Sequence, residues 1–175
     1  LTGTPNARAV ERFGEENIPN GAILGGSIQD TVAVGKVISA FQKKHNLSFA
    51  RISCPEKKSY LLELSFPLAS PEDLRMAVES RFEEYVPLKR EESIFDFDII
   101  EVSEKQKTAR VQISAVSKVI AEAYETLFKN AGITPIAFEI ESQALVRAVV
   151  PEDESNVVLV VDMGKKKTTF AGKLK

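Results

Sequence analysis

Apolar residues recur along this chain at two spacings, and the switches between them lay out the order of elements. The stretch up to Pro19 is polar and without period, and Ile18-Pro19-Asn20-Gly21 reads as a turn before a short strand at Ala22-Ile23-Leu24. Asp30 or Thr31 then caps a helix whose Val34, Val37, Ile38 and Phe41 fall on one face, and which ends near Asn46. Ala50 to Ser53 predicts a short strand closed by Pro55. Tyr60 to Phe66 predicts a longer one, with Leu62, Leu64 and Phe66 on the same side. Ser70-Pro71-Glu72-Asp73 is a helix start, with a capping Ser, Pro at the first position and an acidic first turn. Leu74, Val78, Phe82 and either Tyr85 or Val86 carry its stripe, and Pro87 stops it.

Two alternating runs follow, Ile94 to Val102 and Thr108 to Val116, joined by the polar loop Ser103 to Lys107 of a hairpin. Ser117 opens a helix with Ile120, Ala123, Tyr124, Leu127 and Phe128 expected inward, ended by Asn130-Ala131-Gly132. Pro135 to Ile140 reads as a strand and Glu141 to Val149 as a short helix before Pro151. The continuous apolar run Val157 to Val161 is expected to be a strand buried on both faces. Residues 60–133 thus have a β-α-β-β-α order, an α+β module, and what flanks them resembles pieces of an α/β domain with a parallel sheet. A small unit inserted in a larger one is the expected organisation.

Composition narrows the function classes. The 175 residues are 43% hydrophobic and 27% charged, which supports a packed core and excludes a disordered chain. A net charge of −2 draws the molecule neither to nucleic acid nor to an anionic membrane. The hairpin strands lack interleaved basic and aromatic residues, and Asp96, Asp98 and Glu101 would repel phosphate, so a nucleic-acid platform is not expected. Cys54 is the sole cysteine and His45 the sole histidine, which leaves no internal disulfide and no basis for a zinc site or a Ser-His-Asp triad. No run approaches the roughly 20 apolar residues of a membrane span, and no signal peptide is visible. The first residue is not Met, and Lys173-Leu174-Lys175 follows directly on a strand-like run. Both ends read as cut, and the chain as a piece of a longer protein.

One constellation suggests chemistry. Val160-Val161-Asp162-Met163-Gly164 puts an acidic residue at a strand end and Gly in a tight turn, followed by Lys165-Lys166-Lys167-Thr168-Thr169. Such a carboxylate suits Mg²⁺ held through water, and the Gly lets backbone N–H groups approach phosphate oxygens. By itself an Asp-x-Gly serves a plain β-hairpin turn equally well. The three lysines fit added phosphate attraction, a loop that no longer closes on nucleotide, or a solvated hairpin tip. Gly25-Gly26-Ser27 resembles a phosphate loop superficially, lacking its lysine.

Order and spacing of longer segments add a resemblance. Ile18-Pro19-Asn20-Gly21-Ala22-Ile23, Gly26-Ser27-Ile28-Gln29-Asp30, Cys54 to Leu61, Ser70 to Leu74 and Glu84 to Leu88 occur in the order found in the type IV pilus assembly protein PilM family. Ala131 to Ala148 likewise resembles that family's Gly-x-x-Pro, apolar strand, acidic turn and Ala-Leu-x-Arg-Ala helix. The resemblance implies a truncated actin/Hsp70-like ATPase fold, related to the cell-division protein FtsA and carrying an inserted subdomain of the SHS2 type. Residues 1–59 and 134–175 would belong to the actin-like domain and 60–133 to the insertion. It further implies ATP and Mg²⁺ in the full-length protein, with Asp162, Gly164, Lys165, Thr168 and Thr169 at the second phosphate loop. Asp162 would be on the metal, and Glu141 at the position that orients water or Mg²⁺. Glu139 and Glu141 also read as solvated turn residues, and the first phosphate loop would precede this chain. The implied partner is the cytoplasmic N-terminal tail of a PilN-like bitopic membrane protein, taken in a groove beside the inserted unit. Tyr60, Leu62, Leu64 and Phe66 are its candidate lining, with core packing as their default role. A cytoplasmic scaffold held at the inner membrane only through partners is the implied setting. An FtsA-like protein or a genuine ATPase or kinase of the same fold are the alternatives. Self-association through an exposed sheet edge is also expected.

Overall fold

The computed structural model describes residues 13–164 and 167–173. A small hairpin, β1 (Ile23–Leu24) and β2 (Ser27–Ile28), leads into α1 (Thr31–His45) and β3 (Phe49–Cys54). A 3-10 turn at Glu56–Lys58 enters β4 (Ser59–Pro67), α2 (Pro71–Tyr85), β5 (Ser93–Ser103), β6 (Thr108–Ser117) and α3 (Lys118–Asn130). Then come β7 (Thr134–Ile140), α4 (Glu141–Val149), β8 (Val158–Met163) and β9 (Thr168–Lys173).

Local chemistry explains where the helices start and stop. The Ala33 N–H donates to Asp30 Oδ1 at 2.9 Å, which satisfies one of the free donors at the start of α1. Asn46 ends that helix in the left-handed conformation, at φ 50°, with its N–H bonded to the Gln42 carbonyl. In α2 the Ser70 hydroxyl accepts from the Asp73 N–H, and Pro71 occupies the first turn, where no N–H is needed. Val86 closes α2 and is buried, while Tyr85 is 39% exposed.

The strands form separate small sheets. β3 and β7 run parallel, from Phe49 opposite Thr134 to Cys54 opposite Ile140. Everything in between, including an antiparallel sheet in the order β4-β6-β5, therefore leaves the end of β3 and returns at β7. Alternation along β4 and β6 sends Leu62, Leu64, Phe66, Ala109, Val111 and Ile113 to one face, and α2 covers that face with Leu74 and Val78. Phe82 and Val86 extend the contact over Ala115, Tyr60 and Phe95.

Helix α3 packs elsewhere. Its Leu127 joins Val34 and Ala22, and its Ala121 joins Cys54 and Val116, so α3 ties α1 and β3 to the end of β6. Here the inward stripe differs from the sequence expectation: Ala123 is exposed and Ala121 is buried. Alanine carries little periodic signal, and both positions lie at helical spacing from Leu127 or Tyr124. A second correction concerns β8. Among the described residues its only partner is β9, and Leu159, Val161 and Met163 are 67%, 43% and 82% exposed, so it is not buried on both faces there. An apolar run signals that a strand can be covered on both sides, and only the neighbours decide whether it is.

Gly25 and Gly26 prove to be the two-residue turn of the β1–β2 hairpin, both at positive φ (55° and 82°), as a type I′ turn requires. The Gly26 carbonyl accepts from the Tyr124 hydroxyl at 3.1 Å. Beside it lies Cys54, 2% exposed, whose thiol burial pushes above its ordinary value. Native protein at pH 8 should therefore leave a disulfide-exchange reagent such as dithionitrobenzoate unconsumed, and one thiol should react after unfolding in guanidinium. Rapid stoichiometric reaction in the native state would show that β3 opens readily.

Candidate functional site

The first turn of α4 meets three other parts of the chain. Glu141 accepts a salt bridge from Lys167 of the β8–β9 loop. The Ser142 N–H and hydroxyl both donate to the Glu56 carboxylate, each at 3.2 Å. That carboxylate, 86 residues away in sequence, caps the start of a helix whose preceding residue, Ile140, has no capping side chain. Gln143 Nε2 donates to Gln112 Oε1 at 3.1 Å and to Ser114 Oγ at 3.0 Å, both on β6. One turn of helix thus joins the β8–β9 loop, the entry to β4 and the face of the three-stranded sheet opposite α2.

The expected phosphate-loop residues sit on the hairpin as follows. Asp162 pairs with Thr169 and Met163 with Thr168 across the two strands. Directly opposed residues share a face, so Thr169, 9% exposed, lies on the Asp162 side, whereas Thr168 is exposed on the other side with Met163. Of the two threonines only Thr169 is placed with the carboxylate. The Gly164 N–H donates to the Lys167 carbonyl at 2.9 Å, which closes the turn. Lys165 lies outside the described residues. Among the described residues no group of three or more His, Cys, Asp or Glu is placed to hold a metal ion, so a cation at Asp162 would need most of its ligands from phosphate and water.

Glu139 is not the solvated turn residue that the sequence allowed. It lies within β7 with its side chain 15% exposed. Arg51 from β3 reaches it at 2.6 Å, and Arg147 from α4 holds it through two bonds of 3.0 and 2.7 Å. Burial works against its charge, but the bonds from Arg147 and Arg51 outweigh it and hold the carboxyl below its ordinary 4.5. A depressed folded-state value stabilises the fold at pH above 4.5, and that contribution disappears as pH falls through the folded value. Glu139→Gln should therefore lower stability at pH 7 by about 1–2 kcal/mol and flatten the pH dependence of the denaturation midpoint below pH 5. Equal midpoints for the two proteins at pH 7 would contradict this.

The candidate partner-binding residues lie on the side of the sheet that α2 covers. Phe66 is 3% exposed, Leu62 and Leu64 pack around it, and Tyr60 packs with Phe82 and Val86. Phe66 is core beneath α2, and Tyr60, Leu62 and Leu64, partly buried, pack against that core, which fits the packing role that is their default. The opposite face of the same sheet is the open one. There Leu61 lies across from Ser114 and Glu63 from Gln112, and Arg110 bonds Glu63 and Glu101. Sequence reasoning missed Glu56, Gln112, Ser114 and Gln143, whose roles arise only from contacts across 29 to 86 residues. No helix among the described residues is long and apolar enough to cross a membrane.

Comparison with known proteins places this arrangement. No curated protein sequence matches the chain. Among solved structures, a chain of a PilM-PilN type IV pilus biogenesis complex shares its fold with a TM-score of 0.74 at 19% identity. The alignment covers 88% of this chain and 48% of that one, so this chain spans about half the length of the protein it resembles. A family model for the type IV pilus assembly protein PilM matches residues 2–172. With nearly every residue inside that match and the same mixed α/β fold, the chain belongs to the type IV pilus assembly protein PilM family.

Proposed function

We propose that this chain is part of an actin-like scaffold of type IV pilus assembly that holds the N-terminal cytoplasmic tail of a PilN-like bitopic membrane protein. The family match across residues 2–172 carries the reading. In it, residues 60–133 form the inserted unit, 1–59 and 134–175 belong to the actin-like host, and the protein works in the cytoplasm beneath the inner membrane. The geometry offers a seat for the tail. The polar face of the β4-β6-β5 sheet stands beside α4, and an extended peptide there has Gln112, Ser114 and Gln143 to bond and Leu61 to pack on.

Nucleotide would act on the same first turn of α4. Asp162 and Thr169 would hold Mg²⁺ and phosphate oxygens, and bound ATP would supply negative charge for Lys167 to neutralise in place of Glu141. The Gly164 N–H would donate to phosphate once its bond to the Lys167 carbonyl opens. These residues make one wall of such a site, and Glu141 would orient water from the helix start.

Calorimetric titration of this chain with the N-terminal peptide of the bitopic pilus protein tests the proposal. Saturable micromolar binding is expected. Gln143→Ala should weaken it about tenfold, the loss of one anchoring side chain, with the fold retained. Absence of binding here and in the longer protein would overturn the reading.

A further inference from the structure

Two grooves on this chain carry opposite charge and share no residue. The first runs between α1 and α3 and encloses about 630 Å³. Its floor is apolar, with Val32 (68% exposed), Ala40 and Leu127. Gly35 also lines it, opposite Leu127. Lys36 and Lys43 line it, no carboxylate does, and neither lysine makes an ion pair among the described residues.

The second groove, about 420 Å³, lies between the start of α2 and β5. Phe97 and Ile99 give it an apolar wall, with Glu72 and Asp98 beside them. Its one cation, Arg75, is already engaged: the guanidinium reaches Asp96 at 3.2 Å and stacks over the Phe97 ring at 5.3 Å. Asp98, like the two lysines, has no ion-pair partner among the described residues. β5 is also an edge strand, because β6 occupies the centre of the sheet, and its apolar rim continues through exposed Ile100 and Val102.

We propose that these surfaces dock on each other between copies of the chain. The β5–α2 edge of one protomer would seat in the α1–α3 groove of the next. Apolar floor would meet apolar rim, while Lys36 and Lys43 face Glu72 and Asp98. The occupant is a second copy because the complementary surface, of opposite charge and matching apolar character, is carried by this same chain. Two different patches make the contact heterologous, so it propagates head to tail. Rim charges fix its register and speed its formation, and the apolar centre holds it. This association is independent of the tail-binding role proposed above.

Sedimentation velocity of the whole chain, from micromolar to near-millimolar concentration, reads it out. Average mass should rise with concentration and fall when salt is raised to about 0.5 M. Lys36→Glu with Lys43→Glu should weaken association at least about tenfold, and so should Glu72→Lys with Asp98→Lys. All four positions are exposed, and unchanged thermal midpoints will show that the variants fold. Combining the four changes in one chain restores opposite signs and should restore association. A monomer at every concentration would overturn the proposal. So would association that survives either reversal, or a fourfold variant that stays as weak as its parents. If the acidic-edge variant fails to fold, the lysine reversals alone decide, since unchanged mass in that protein refutes the contact.

Discussion

Phe66→Ala should cost this protein roughly 3–5 kcal/mol of stability, read as a fall in the denaturant midpoint at unchanged slope. The ring is 3% exposed and sits among Leu74, Val78, Ala109, Val111 and Ile113, each at most 2% exposed. None of these neighbours can close the void without pulling α2 off the sheet, so the lost transfer energy is joined by a cavity term. Arg81 loses a partner too, its guanidinium standing 6.0 Å over the ring. Leu61→Ala in the same strand is the control. Its side chain faces the other way and is 37% exposed, and it should cost less than about 1 kcal/mol. The pair also separates packing from recognition. Loss of stability in Phe66→Ala fits the core assignment. Full stability with lost binding of the pilus-protein tail would return Phe66 to the ligand surface.

The second large effect is expected at a glycine. Gly26→Ala should cost about 2–4 kcal/mol, because strain and collision add. The residue holds φ at 82°, and a Cβ there would lie 2.4 Å from Pro55 Cγ and 2.5 Å from its Cβ. A proline ring cannot swing aside, so either the hairpin or the end of β3 must shift. Such a shift would also strain the Tyr124 bond to the Gly26 carbonyl. Gly25→Ala isolates the conformational share: φ is 55° and nothing stands within 4 Å, so about 1–2 kcal/mol is expected. Equal midpoints for the two variants would refute the packing part of the argument.

These two residues also show how far the sequence reached. The alternation of Leu62, Leu64 and Phe66 identified the strand and its apolar face, because residue parity in a strand is fixed by geometry. It did not say what that face meets. Whether α2 or a partner's peptide covers it is settled by the path of the chain after Pro67. Gly25-Gly26 stood out in the sequence only as a superficial likeness to a phosphate loop, and neither its hairpin turn nor Pro55 pressing on it, 29 positions away, was legible there. Helix boundaries were local matters and came through well: Asp30, Ser70 and Gly132 act within a few residues of themselves. The family, too, was legible, since it rests on the order and spacing of short motifs, which a linear chain displays directly.

The candidate site is divided in the same way. Asp162, Gly164 and Glu141 were visible as residue types at turns. That Glu141 meets Lys167, and that Thr169 rather than Thr168 accompanies Asp162, follows from hairpin register and helix docking. The Glu139 clamp needs Arg51 and Arg147 brought from β3 and α4, and the α4 cap needs Glu56. By itself, then, the sequence determined the main helices and strands, their order, most of their apolar faces and the family. The tertiary structure alone decided which faces are covered and which charges are paired. Periodicity and capping depend on neighbours within a turn or two, while burial and ion pairing depend on residues that only folding makes neighbours.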